Sequence, residues 1–180
     1  RSGQRHRAMP RFRMKKQRPL PLAALLFSAA FFTIDATAQH AKYWVGGSGA
    51  WSDPAHWSLT ASGRGGAGAP GAGESAWLIG QGVRTVSIDG DVRCQDLILD
   101  ASQGTLVIEG DASAKVEVGG GFRADGNVDW RFRGALELTN DNRGTVSLST
   151  HGIGIASDII LDGDAIWAMN SALVLRDGAS

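Results

Sequence analysis

Asp96-Leu97-Ile98-Leu99-Asp100 returns 62 residues later as Asp158-Ile159-Ile160-Leu161-Asp162. Each copy is three apolar residues held between two carboxylates, a run suited to a strand and too short for an amphipathic helix. At about 20 residues per coil, the spacing amounts to about three coils and predicts that both copies stack on one face of a solenoid. The pattern spreads in both directions. Trp77–Ile79, Val83–Ile88, Leu97–Leu99, Thr105–Ile108, Val116–Val118, Val128–Phe132, Leu136–Leu138, Val146–Leu148, Ile159–Leu161 and Leu173–Leu175 are short β-runs separated by Gly, Asp and Asn turn signals. After residue 39 no window keeps a helical stripe, so the class is all-β. The expected architecture is a right-handed parallel β-helix with a Trp-rich N-terminal cap, and an antiparallel β-sandwich is the alternative. Strand parity places Leu97, Leu99, Leu106, Ile108, Val116, Val118, Trp130, Phe132, Leu136, Leu138, Val146, Leu148, Ile159 and Leu161 inside, with Arg131, Arg133 and Glu137 outside.

The expected cap is Tyr43-Trp44-Val45-Gly46-Gly47-Ser48-Gly49-Ala50-Trp51-Ser52-Asp53-Pro54-Ala55-His56-Trp57-Ser58. Each of its tryptophans can bury about 150–250 Å², which points to a plug over the end of a stack. Trp44, Gly46, Gly47, Trp51, Asp53, Pro54 and Trp57 are its structural motif. Asp53-Pro54 starts a turn, and Gly46, Gly47 and Gly49 let backbone lie against an indole. Residues 39–82 are read as this opening, with a Gly-rich loop at 61–75 expected to be mobile. Residues 83–180 are read as the repeat region. Gly66–Gly71 matches a G-x-G-x-x-G dinucleotide pattern only by chance, having Pro70 inside it and neither strand before nor helix after.

The opening W-V-G-G-x-G-x-W-S-D-P-x-x-W-S resembles the start of the mature region in very large secreted bacterial surface proteins. Cys94-Gln95-Asp96-Leu97 is similar to the C-x-x-L of that family's first coil, and the likeness covers most of residues 43–180. It implies β-helical repeats, a surface location and, in many members, a distant C-terminal sorting domain. On that expectation the chain is one end of a longer protein, its partners further repeats of itself, extracellular glycans or other cells.

Charge is segregated along the chain. Residues 1–18 carry eight basic residues and no acid, Leu20–Ile34 is apolar, and Ala36-Thr37-Ala38 has the small-x-small form of a cleavage site. Together they read as a basic arm and secretory signal peptide over residues 1–38, shorter than a membrane span needs. Translation starts at Met9 or Met14 on this reading. The remaining chain holds 17 acidic and 10 basic residues, a net charge of −7. Such a surface disfavours nucleic acid, whose phosphates must be met by Lys and Arg. Cys94, the single cysteine, has no disulfide partner in the chain and is read as a small core hydrophobe.

Few residues suggest chemistry. Asp125, Asp129, Arg131 and Arg133 form a candidate ligand surface on one strand face, against the reading of a solvated strand exterior. Trp77, Trp130 and Trp167 are candidates for stacking on sugar rings or for core. Asp89-Gly90-Asp91 and Asp162-Gly163-Asp164 resemble half of a calcium turn without the rest of the motif. His40, His56 and His151 have no metal-ligand spacing. No catalytic residue, cofactor or metal is assigned. The expectation is an exported cell-surface structural or adhesin-like scaffold without catalysis in this segment. The alternative is a carbohydrate-binding or carbohydrate-active β-helix with its site mostly beyond residue 180. Export is checked directly: expressed in a secreting bacterium, the protein should lose residues 1–38 and begin at Gln39, as read by N-terminal sequencing.

Overall fold

The structure, a computed structural model, describes residues 40–140 and 145–175. The signal peptide expected at residues 1–38 lies outside the described residues. Fourteen strands follow in chain order: β1 (His40–Trp44), β2 (Gly49–Ala50), β3 (Trp57–Ser58), β4 (Glu74–Ile88), β5 (Val92–Cys94), β6 (Leu97–Gly110), β7 (Lys115–Val118), β8 (Phe122–Trp130), β9 (Ala135–Thr139), β10 (Thr145–Ser149), β11 (Gly154–Ile155), β12 (Asp158–Asp162), β13 (Ile166–Met169) and β14 (Val174–Leu175). One 3-10 turn, Pro54–His56, is the only helical element among the described residues. None of their helices is long and apolar enough to cross a membrane.

The strands stack as a parallel β-solenoid. An eight-stranded sheet runs β13-β10-β8-β6-β4-β1-β3, with β2 also on β4, and a four-stranded sheet runs β12-β9-β7-β5. A two-stranded sheet joins β11 to β14. Every pairing is parallel except that of β1 with β3. The long strands bend where their registers shift, between Ile79 and Gln81 and between Ala101 and Thr105. Such irregularities turn a strand without breaking its ladder. The parallel stack excludes the antiparallel sandwich.

Inward side chains form columns along the stack. Ala76, Leu97, Phe122 and Leu148 are in register, and all are buried. So are Val92, Val116 and Leu136, and Cys94, Val118 and Leu138. Cys94 is therefore core, and burial, aided by the neighbouring Asp96 carboxylate, pushes its thiol pKa well above the usual range. Period-two alternation with a buried inner face is what positions each strand. Arg131 and Arg133 are exposed and Glu137 is partly so, as parity requires.

Several expectations change. The two Asp-flanked repeats do not share a face: Leu97 lies in the eight-stranded sheet and Ile159 in the four-stranded one. The coils are longer than assumed there, 25 residues from Leu97 to Phe122 and 26 from Phe122 to Leu148. Three coils on from Leu97 stands Met169. Leu161 occupies an inward column over Leu138, yet it is 53% exposed because β12 is an edge strand of its sheet. Ile159 is partly buried against the core. The junction placed after Gly82 falls inside β4, so the first coil begins at Glu74. The Gly-rich loop is anchored rather than free. Gly66 and Ala67 N–H groups donate to the Pro54 and Trp57 carbonyls, Pro70 is buried, and Ala69 packs on the core.

The Trp-rich opening is a partial coil as well as a plug. β1 pairs in parallel with the first half of β4 and β2 with the second half. β3 then returns antiparallel to β1, with Trp44 opposite Trp57. Trp44, Trp51 and Trp57 are at most 2% exposed. Trp57 meets Trp44 and Trp51 edge-on, at 5.2 and 4.8 Å between ring centroids. Polar handles are satisfied inside: Trp57 Nε1–H donates to the Trp51 carbonyl at 2.6 Å and Trp44 Nε1–H to the Gly47 carbonyl at 3.0 Å. Asp53 caps the 3-10 turn by accepting from Ala55 N–H at 2.9 Å, with Pro54 at its start. The glycines serve differently from expectation. Gly46 adopts φ +83°, Gly47 faces open space, and Gly49 lies against the His56 imidazole, which itself stacks on Trp44 at 4.6 Å. A Cβ at Gly49 would stand 2.1 Å from His56 Nε2. Trp57→Ala should cost about 3–5 kcal/mol, the range for emptying a large aromatic site; denaturant melts against the parent check it.

Candidate functional site

Two charged groupings stand out among the described side chains. The first latches the cap. Lys42 is 8% exposed, unusual for a lysine, and its position between inward-facing Ala76 and the Gly-rich loop explains it. Its Nζ donates to the Ala67 and Ala69 carbonyls at 3.0 and 3.2 Å and sits 3.1 Å from the Glu74 carboxylate. Glu74 also accepts from Gly71 N–H at 2.9 Å. Burial opposes the Glu74 charge, but the Gly71 N–H and the Lys42 ammonium outweigh it and hold its pKa below the usual value. A buried cation with three oxygen partners closes the loop over the first coil.

The second grouping lies on the outer face of the eight-stranded sheet. Because Ala76 and Leu78 point inward, Trp77 points out. The same register row holds Tyr43, Trp77, Ile98 and Arg123 on successive strands. Tyr43 and Trp77 are half-buried, with centroids 5.9 Å apart and planes tilted by 34°. The next outward row is Ile79, Asp100 and Asp125. Arg123 Nε donates to Asp125 Oδ2 at 2.5 Å, and His151 Nδ1 stands 2.6 Å from Asp125 Oδ1. Asp100 is held below its ordinary pKa first by the Ser102 hydroxyl and N–H, then by Arg123 against a burial cost.

His151 is presented by the turn after β10. It has φ +47°, the only positive φ at a non-glycine among the described residues. Ser171 Oγ accepts the N–H groups of Thr150 and His151 at 2.8 and 2.9 Å and so holds that turn. Nδ1 also approaches Ser149 Oγ and the Ala124 carbonyl at 3.2 and 3.1 Å. With a carboxylate and a carbonyl as neighbours, Nδ1 is the nitrogen that carries hydrogen.

The sequence-derived ligand surface is only partly assembled. Asp125 belongs to the outer-face grouping. Asp129 lies past the strand bend and pairs with Arg131 Nη2 at 2.6 Å. Arg131 and Arg133 follow β8 and face solvent. The four therefore do not converge, because the bend in the long strands separates Asp125 from the rest. Arg123, Asp100 and His151 were missed: Arg123 faces outward beside Asp125 on β8 itself, whereas Asp100 and His151 join them only through the stacking of the coils. Trp130 is core, its indole N–H donating to Ser157 Oγ at 2.9 Å, and Trp167 packs against the core in the Val146 column. The Asp-Gly turns use their carboxylates internally. Asp89 accepts from the Ser52 N–H and hydroxyl, Asp91 from Lys115 N–H, and Asp162 from Gly163 N–H. Among the described residues no three His, Cys, Asp or Glu side chains converge as a metal set would.

No protein-family model, curated protein or solved structure matches this chain. The latch makes a pH-dependent prediction. A carboxyl with a depressed folded-state pKa adds stability above its unfolded value of about 4.3 and loses it as pH falls through the folded value. Glu74→Gln should melt below the parent at pH 7, and the gap should close under acid conditions below about pH 4; melts across that range measure it.

Proposed function

We propose that the protein is an exported cell-surface scaffold, structural or adhesin-like, built as a capped β-solenoid. The observation that carries this reading is the Trp-rich plug. Its buried indoles and antiparallel β3 close one end of the parallel stack, so that coils extend away from it in a single direction. A rod anchored to a sealed tip suits presentation of a long lateral surface outside the cell. The same residues carry the resemblance to secreted surface proteins, and a basic-then-apolar leader stands ahead of them. The net charge of −7 after residue 38 favours a solvated, self-repelling exterior.

Location tests the proposal. With an epitope placed in the exposed turn at Gly152, the chain expressed in a secreting bacterium should be found outside the inner membrane. Protease added to intact cells or culture fluid should remove the epitope. An epitope protected in the cytoplasm, on a chain keeping residues 1–38, would overturn it.

A further inference from the structure

We infer that the outer face of the eight-stranded sheet binds a neutral oligosaccharide across the two adjacent rows that lead from Tyr43 and Trp77 to Arg123, Asp125 and His151. This deepens the adhesin-like reading by naming a face and a ligand class, and rests on that reading only for where the glycan is met.

Three observations converge. The first row begins with two aromatic rings on adjacent strands, turned away from the core and 5.9 Å apart. The C–H face of a pyranose packs on such rings, and an outward Trp beside an outward Tyr is otherwise apolar area given to water. One or two strands further, the face becomes polar: Arg123 supplies forked donors, Asp100 and Asp125 supply carboxylate acceptors, and His151 closes the end. Vicinal hydroxyls both donate and accept, so they match a paired carboxylate and guanidinium. Beside the polar zone, on the same side of the stack, lies a shallow cleft of about 220 Å³ lined by Asp96, Ile98, Gly121, Phe122, Arg123 and Ser147. Gly121 leaves it open: its N–H donates to Asp96 Oδ1 at 2.7 Å, and it has no side chain to fill the notch.

The geometry selects a chain-like ligand. Neighbouring strands are spaced about 4.8 Å apart, so the aromatic zone on β1 and β4 is followed along the stack by the polar zone and its cleft around β6, β8 and β10. Tyr43, Trp77, Asp100, Arg123 and Asp125 sit on paired strands, and Ser171 holds the turn that carries His151, so little ordering is needed on binding. The charge selects against acidic polymers. Arg123 is already paired with Asp125, Asp100 adds a second carboxylate, and phosphate or uronate would meet them unfavourably.

Calorimetric titration of the secreted protein with cellohexaose, xylohexaose and chitohexaose, with hexagalacturonate as the acidic comparator, tests the inference. At least one neutral hexamer should bind, and hexagalacturonate should bind more weakly than it. Trp77→Ala and Asp125→Asn should each weaken binding by about tenfold or more, equivalent to about 1.4 kcal/mol. Trp77→Phe should recover most of the affinity, Gly121→Gln should block it by filling the notch, and Arg93→Ala on the four-stranded sheet should leave it unchanged. Matching thermal melts exclude unfolding as the cause. No binding to the neutral hexamers, tighter binding of hexagalacturonate, or binding indifferent to Trp77 and Asp125 would overturn it. Binding in solution by a chain found retained in the cytoplasm would defeat the export proposal and leave this one standing. Export without binding would do the reverse.

Discussion

A parallel stack of coils has an end, and closing that end is the constraint on which this structure depends. An open end presents unpaired backbone groups and a cross-section of apolar core, a template for unwanted pairing. Here the first coil is met by a half-coil that continues the parallel ladder through β1 and β2, then reverses into β3. The reversal halts the ladder, and three interlocked indoles cover the core behind it. At the far end Leu161, Ile166, Met169, Val174 and Leu175 are exposed among the described residues.

Closure also explains the composition of the cap. A tryptophan plug needs backbone close by, and glycine at position 49 lets the chain pass against His56. The Gly-rich loop cannot anchor itself through side chains, so its carbonyls are gathered by Lys42. Glu74 balances that buried cation at the first residue of β4. A low-complexity composition therefore does not imply a free segment when a buried charge organises its backbone.

With the core columns committed to packing, the outer face carries the aromatic and charged side chains. Each strand has one inward and one outward set, and stacking multiplies the outward set into rows. On the four-stranded sheet such a row is an ion ladder: Lys115 bridges Glu117 and Glu137, and Arg93 meets Glu117. On the eight-stranded sheet the row is aromatic and then polar. The two faces share one backbone and differ only in which side chains the register brings side by side.

The all-β class, the inward parity of Leu97, Leu99, Val116 and Leu136, and the plug of Trp44, Trp51 and Trp57 were legible in the sequence. Alternation and turn chemistry are local, and three tryptophans among glycines have few places to go. Asp125 was recognised, but its partners were not. Arg123 is two residues away, whereas Asp100 and His151 are brought beside it by coils of unequal length. The same inequality sends the two Asp-flanked repeats to different sheets, although their local patterns are nearly the same. Strand parity is set residue by residue through burial. Which strands lie side by side depends on how many residues each corner and bulge absorbs, and only the tertiary stacking decides that.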